Sequence, residues 1–148
     1  MHLRMLGPDD IEKCIALYID VFNRPPWNNE WTPETARRLV HDLWNTPGFR
    51  GYAAIDETQN DSPVAAVLGK EKQWWKGTEF WIEEFFVRPD SQGQGIGSRL
   101  LAFVCADLRD RGIDQAVLLT DKSAPAFAFY TDRGFREHAT LRLLHIKL

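Results

Sequence analysis

Residues 85–101 read Phe85-Phe-Val-Arg-Pro-Asp-Ser-Gln-Gly-Gln-Gly-Ile-Gly-Ser-Arg-Leu-Leu101. An apolar strand runs into a proline-checked turn, then a glycine run, then the first turn of an amphipathic helix. Gly93, Gly95 and Gly97 alternate along the run, which removes side chains and lets several backbone N–H groups converge. The helix start adds N–H groups that lack intrahelical partners, together with the positive end of the helix dipole. Such a segment is suited to a pyrophosphate. It is not the dinucleotide fingerprint, which needs G-x-G-x-x-G, nor a Walker loop, which ends in Gly-Lys-Ser/Thr.

Working outward, His2 to Leu6 alternates as a half-buried strand, and Ile11, Ile15, Tyr18 and Phe22 follow at helical spacing. A turn-rich loop from Asn23 to Trp31 leads to Thr32 and Pro33, a helix start whose apolar face carries Leu39, Leu43 and Trp44. Residues 51–56 and 63–69 read as a hairpin, and a third strand covers 79–87. After the glycine run come a helix from Ile96 to Arg111 stopped by Gly112, a short strand over 116–120 and a short helix over 124–131. Phe135 to Leu148 can supply two closing strands, the last alternating as Leu144, Ile146, Leu148. The order predicts an α/β protein with a mixed sheet, and no linker or repeat divides residues 1–148.

The 148 residues are 44% hydrophobic and 26% charged, an ordinary globular composition for one domain. A net charge of −3 and a pI near 5.8 argue against nucleic-acid binding and mildly favour a cationic substrate. Cys14 and Cys105 lie in apolar helical patterns and read as buried free thiols. No targeting segment or long apolar run is present, so a cytoplasmic protein without membrane contact is expected. The four histidines show no metal-ligand spacing, and no metal is expected.

Gln92, Gly95 and Gly97 fit the Q/R-x-x-G-x-G/A signature of the GNAT N-acetyltransferase superfamily, in its setting of strand, Val-x-Pro, glycine loop and helix. The chain resembles that superfamily in element order over essentially its whole length. The resemblance implies a GNAT fold: a central mixed, mostly antiparallel sheet flanked by helices in a single domain. It further implies acetyl-CoA as cosubstrate, with the pyrophosphate against Gln92, Gly93, Gln94, Gly95, Ile96, Gly97 and Ser98. The pantetheine arm would lie along Phe86 and Val87, whose N–H groups could polarise the thioester, with Ser123 and Phe127 on the cofactor side. Ser123 stands where the family commonly has asparagine, and with no arginine in the glycine run, Arg88 and Arg99 are the near cations.

Glu83 and Glu84 interrupt an apolar strand, where an unpaired carboxylate is unfavourable to bury. Adjacent strand residues face opposite ways, so at most one should face the reacting centre, where it could take a proton from an ammonium group. The plainer alternative is an ion pair with Arg88 or Arg142. The segment Trp-Ile-Glu-Glu-Phe-Phe-Val is similar to the equivalent strand of polyamine acetyltransferases, a likeness that puts Glu83 first and Glu84 second. Ser123 to Phe135 resembles the family pattern Asn-x-x-Ala-x-x-x-Tyr followed by Gly-Phe, which implies that Tyr130 protonates the departing thiolate. Trp27, Glu30 and Trp31 fall in the loop that borders the acceptor site in the family and suit a small cationic amine. Amino sugars, amino-acid amines and a protein N-terminus stay open, as do a homodimer and a non-catalytic acyl-CoA-binding module on the same fold.

Overall fold

A computed structural model describes all 148 residues. Five strands, β1 (His2–Met5), β2 (Phe49–Asp56), β3 (Ser62–Gln73), β4 (Thr78–Val87) and β5 (Gln115–Leu118), form one sheet in the order β1-β2-β3-β4-β5. The first four pair antiparallel and β5 pairs parallel to β4, so the sheet is mixed and mostly antiparallel. The parallel pair requires a crossover, which α3 (Ile96–Asp110) supplies. Two helices, α1 (Ile11–Phe22) and α2 (Pro33–Trp44), precede β2, and α4 (Pro125–Thr131) follows β5.

Period-two alternation in the central strands sends successive side chains to opposite helices. Ala53, Ile55, Ala66, Leu68 and Phe86 pack beneath α1 and α2, with Cys14, Ile15, Tyr18 and Val40. Tyr52, Ala54, Ala65, Val67, Phe80 and Ile82 pack beneath α3, with Leu100, Val104 and Leu108. Helix α2 starts where the sequence places it: the Thr32 hydroxyl accepts from the Thr35 N–H at 3.1 Å, and Pro33 opens the helix. Cys14 and Cys105 are both free thiols.

The expected closing strands are not formed. Residues 136–148 carry no helix or strand, and Leu141, Leu143, Leu144, Ile146 and Leu148 are exposed. The period-two pattern is present, but in this chain no neighbour pairs with it.

Candidate active site

Strand β5 pairs with Glu79–Ile82 of β4 and no further, so from Glu83 to Val87 one side of β4 has no strand partner. The Arg88 N–H donates to the Val64 carbonyl at 2.8 Å. Residues that exchange hydrogen bonds alternate along an antiparallel ladder, so Phe86, opposite Ala66, and Glu84, opposite Leu68, turn their backbone groups to β3. Phe85 and Val87 turn theirs to the open side. Of the two backbone donors named from the sequence, Val87 therefore faces the gap and Phe86 does not.

Pairing between β3 and β4 slips by one residue: Leu68 opposes Glu84 but Gly69 opposes Ile82, which leaves Glu83 as the extra residue of a β-bulge. A Cβ on Gly69 would lie 2.5 Å from the Phe80 ring and closer still to the Trp81 carbonyl, so only glycine fits there. The bulge cancels the alternation on which opposite facing was predicted. Glu84 opposes Leu68, a member of the α1/α2 cluster. Glu83 lies 3.3 Å from the Lys70 ammonium, two residues along β3 on the same face. Both carboxylates thus point to the α1/α2 side. Neither pairs with Arg88, which binds Asp90 and Gln59, nor with Arg142, which bonds the Ala139 and Leu141 carbonyls.

The two differ in environment. Glu83 is exposed and paired with Lys70. Glu84 is largely enclosed and has no cationic partner within 4.0 Å. Burial pushes its carboxyl up to about 7, while the Tyr18 hydroxyl favours the ionised form and the Glu83 charge opposes it. Tyr18 was not singled out from the sequence, where it reads as one apolar position of α1. Its ring packs edge-on against Phe86 at 5.3 Å and Trp31 at 5.2 Å, with burial and then the Glu84 charge raising its phenol.

Beyond β4, the N–H groups of Gly93, Gln94, Gly95, Ile96, Gly97 and Ser98 donate to no group of the protein; the first helical bond runs from the Arg99 N–H to the Gly95 carbonyl at 3.0 Å. Gly93 and Gly95 hold φ values of 74° and 75°, the left-handed region that favours glycine. A Cβ at Gly95 would meet no protein atom within 4 Å, whereas one at Gly97 would lie 3.3 Å from Val87 and 3.5 Å from Phe129. Gly97 therefore lets the helix start approach β4 and α4. The Gln92 and Gln94 amides brace the loop by donating to the Val87 and Asp90 carbonyls at 3.1 and 3.0 Å.

A cation not named from the sequence is bonded to this helix start. Arg133, just past α4, donates to the Ser98 hydroxyl from Nη2 at 2.6 Å and from Nε at 3.0 Å. It is fixed by a bond to the Phe129 carbonyl at 2.7 Å and by stacking 3.9 Å over the Phe129 ring. Only the packing of α4 against α3 brings it there, so no local signal marks it.

Tyr130 is 9% exposed, and its ring packs on Phe129 at 5.3 Å, Phe135 at 5.4 Å and Phe85 at 6.2 Å. Its hydroxyl makes no hydrogen bond to protein. Burial, and then the Glu84 charge, push it up to about 12, so it is protonated at neutral pH and electrostatically coupled to Glu84. Ser123 is exposed, its hydroxyl bound to Asp121 at 2.7 Å, and Phe127 is half-buried under Lys122. In the loop between α1 and α2, Glu30 and Trp31 line an open cavity of about 480 Å3, while Trp27 packs on Phe22 at 5.8 Å. Trp31 leans on Tyr18, so that loop is joined to Glu84 through one side chain.

A model of the acetyltransferase (GNAT) family matches residues 16–135. The mycothiol acetyltransferase of Thermobispora bispora is 29% identical over 140 residues, covering 91% of this chain and 46% of that protein. The thialysine N-epsilon-acetyltransferase of Bos taurus is 40% identical over 53 residues, covering 34% of this chain and 31% of that protein. The chain thus spans less than half the length of either relative. The crystal structure of a Trypanosoma brucei acetyltransferase superposes with a TM-score of 0.72 over 99% of both chains at 19% identity, a likeness of fold.

Proposed function

The chain belongs to the acetyltransferase (GNAT) family, and on that premise we propose that it transfers the acetyl group of acetyl-CoA to a small cationic amine by direct attack in a ternary complex. The observation that carries the reading is a juxtaposition on one open segment of β4. Six backbone N–H groups without protein partners lie at one end, and at the other stand the Glu84 carboxyl and Tyr130, whose ring packs on the adjacent Phe85 at 6.2 Å. The residues present fit the cosubstrate. The N–H groups from Gly93 to Ser98, with Arg133, match a pyrophosphate, and the outward backbone of Phe85 and Val87 matches an extended amide chain.

Acetyl-CoA supplies an acetyl thioester, whose carbon–sulfur bond breaks as the new carbon–nitrogen bond forms. Glu84 is the base: ionised, it removes one proton from the ammonium group, which is not nucleophilic until then. The Val87 N–H donates to the carbonyl oxygen as that atom gains charge; one such donor is worth about 3–4 kcal/mol in other enzymes. Tyr130 gives its proton to sulfur, and the second proton lost by nitrogen replaces it. Glu83 is held in an ion pair by Lys70 and is not the base.

For the acceptor, the support is an acidic chain and the Glu30 and Trp31 cavity. A relative named for the ε-nitrogen of thialysine agrees with a side-chain amine. The test is an amine panel incubated with acetyl-CoA while free thiol is followed. Release with alkyl diamines or lysine-like amines, lost in Glu84→Gln, is the expected result. Coenzyme A binding without thiol release from any amine would favour the non-catalytic module.

A further inference from the structure

Beyond Glu83 the sheet opens on its α1/α2 side into a cavity of about 610 Å3, whose lining includes Lys70, Lys72, Trp81, Glu83 and Leu119. It begins one residue from Glu84 and shares no lining residue with the Glu30 and Trp31 cavity. Charge along its wall is unevenly balanced. Lys70 is neutralised by Glu83 at 3.3 Å. Lys72 makes no ion pair and no hydrogen bond; its ammonium lies 4.9 Å over the Trp81 ring and 5.2 Å over the Trp74 ring. The acid opposite Lys72 is Glu79, and both its oxygens are taken: Oε2 accepts from the Trp81 indole N–H at 2.9 Å and Oε1 from the Gln115 amide at 2.7 Å. Glu71, between the two lysines in sequence, is paired with Arg50. Two aromatic faces thus hold a positive charge on the cavity wall that no negative group of the protein meets.

We propose that this cavity is the distal half of the acceptor site and that Lys72 binds a carboxylate of the acceptor, which makes the substrate an amino-acid-type amine. The inference rests on the reading of Glu84 as the base of an amine acetyltransferase. Trp81 opposes Lys70, two residues along β3 from Leu68, and Leu68 opposes Glu84. The charge held over Trp81 is therefore roughly 7 Å along the strands from Glu84. Six bonds of an extended chain, twice the three that one residue contributes, also span roughly 7 Å. An acceptor that satisfies both ends has its reacting nitrogen about six bonds from the carboxyl carbon, with methylene groups between. Trp81 and Leu119 offer apolar surface to those methylenes. The carboxylate gains a charge-assisted hydrogen bond from an ammonium that has no competing anion. A plain alkyl amine reaches Glu84 and leaves the Lys72 charge unanswered, so the far end of the substrate sets the selectivity.

Thiol release from acetyl-CoA with ε-aminocaproate, hexylamine or γ-aminobutyrate tests the acceptor class. Calorimetry of the same amines with the coenzyme A complex tests the subsite without the chemistry. In kcat/KM, ε-aminocaproate should exceed hexylamine, its counterpart without the carboxylate, by about 10- to 100-fold. The shorter γ-aminobutyrate should lose that advantage. Lys72→Met keeps the apolar stem; it should raise KM for ε-aminocaproate by about 10- to 100-fold with little change in kcat, and Lys72→Arg should restore it. Equal parent rates for ε-aminocaproate and hexylamine overturn the proposal and leave the transferase intact, as does a preference that survives Lys72→Met. If no amine releases thiol, the transferase reading fails and calorimetry decides the subsite. Binding of ε-aminocaproate that is lost in Lys72→Met then supports it, and equal or absent binding in parent and variant overturns it.

Discussion

Glu84 combines two properties that pull in opposite directions. Its enclosed position raises the carboxyl to about 7 against an ordinary 4.5, which suits it to accept a proton near neutrality but weakens the fold when it is charged. Because the folded value is the higher one, the stabilising contribution is complete below about pH 4.5 and is lost as pH rises through 7. At pH 8 the charged group destabilises the fold by about 2–3 kcal/mol, after allowance for its partial exposure. Glu84→Gln should therefore be more stable than the parent at pH 8 and equal to it at pH 4, read by urea unfolding at both. The same variant should lose about 100- to 10,000-fold in turnover and the acid limb of its pH profile. A gain in stability with no loss of rate would make Glu84 a packing residue. Tyr18→Phe tests the hydroxyl that favours the ionised carboxylate, and the acid limb should then move to higher pH. Tyr130→Phe should keep coenzyme A binding while turnover falls by about 10- to 1,000-fold. Parent-like turnover from pH 6 to 10 would remove Tyr130 from the chemistry. The acidic pair stands out in the sequence because it interrupts an apolar strand, and the tyrosine stands out only through the resemblance of Ser123 to Phe135 to the family pattern. Nothing marks Tyr18, whose position in the apolar stripe of α1 hides a hydroxyl that matters only once β4 is laid against the helix.

Between elements, the bulge in β4 decides which side chains share a face. Without it, Glu83 and Glu84 would lie on opposite sides of the sheet, and the carboxylate pair would not be a pair. Gly69 makes room for it, because any Cβ there would drive into Phe80 and the Trp81 carbonyl. Gly69→Ala should weaken the fold by about 1–3 kcal/mol, seen as a lower urea midpoint, and should shift the acid limb as Glu84 is displaced. An unchanged midpoint would mean that the bulge tolerates a side chain. This device is invisible in the sequence, where Gly69 is one glycine in a strand and Glu83 one residue in a regular alternation. The glycine loop is legible for the opposite reason: its turn, its left-handed positions and its helix start are all fixed by neighbours in sequence. Arg133 and the closing strands fail for want of partners that are remote in sequence. Arg133 gains its role only when α4 meets α3, and residues 136–148 keep a strand pattern with nothing in their own chain paired to it.

Across the whole molecule, β2, β3 and β4 contribute side chains to both hydrophobic clusters, so α1 and α2 on one face and α3 on the other share one sheet. Such a fold should unfold in one cooperative step. The glycine loop sits where β4 passes into α3, and a ligand held there bridges a strand and a helix that belong to that same unit. Coenzyme A should consequently stabilise the entire protein. At a hundred times its Kd the unfolding free energy should rise by about 2.7 kcal/mol in a single shifted transition. Gly95→Asp is the control. Its φ of 75° lies in the left-handed region, so any substituent should weaken the free protein by about 1–2 kcal/mol. A carboxylate beside six undonated N–H groups would also compete with the phosphate for them. The variant should unfold in one step at a lower midpoint, and added coenzyme A should leave that midpoint where it is. Two separate transitions would show that the sheet does not couple its two faces. A variant midpoint that rises with coenzyme A as far as the parent's would remove the glycine loop as the phosphate site.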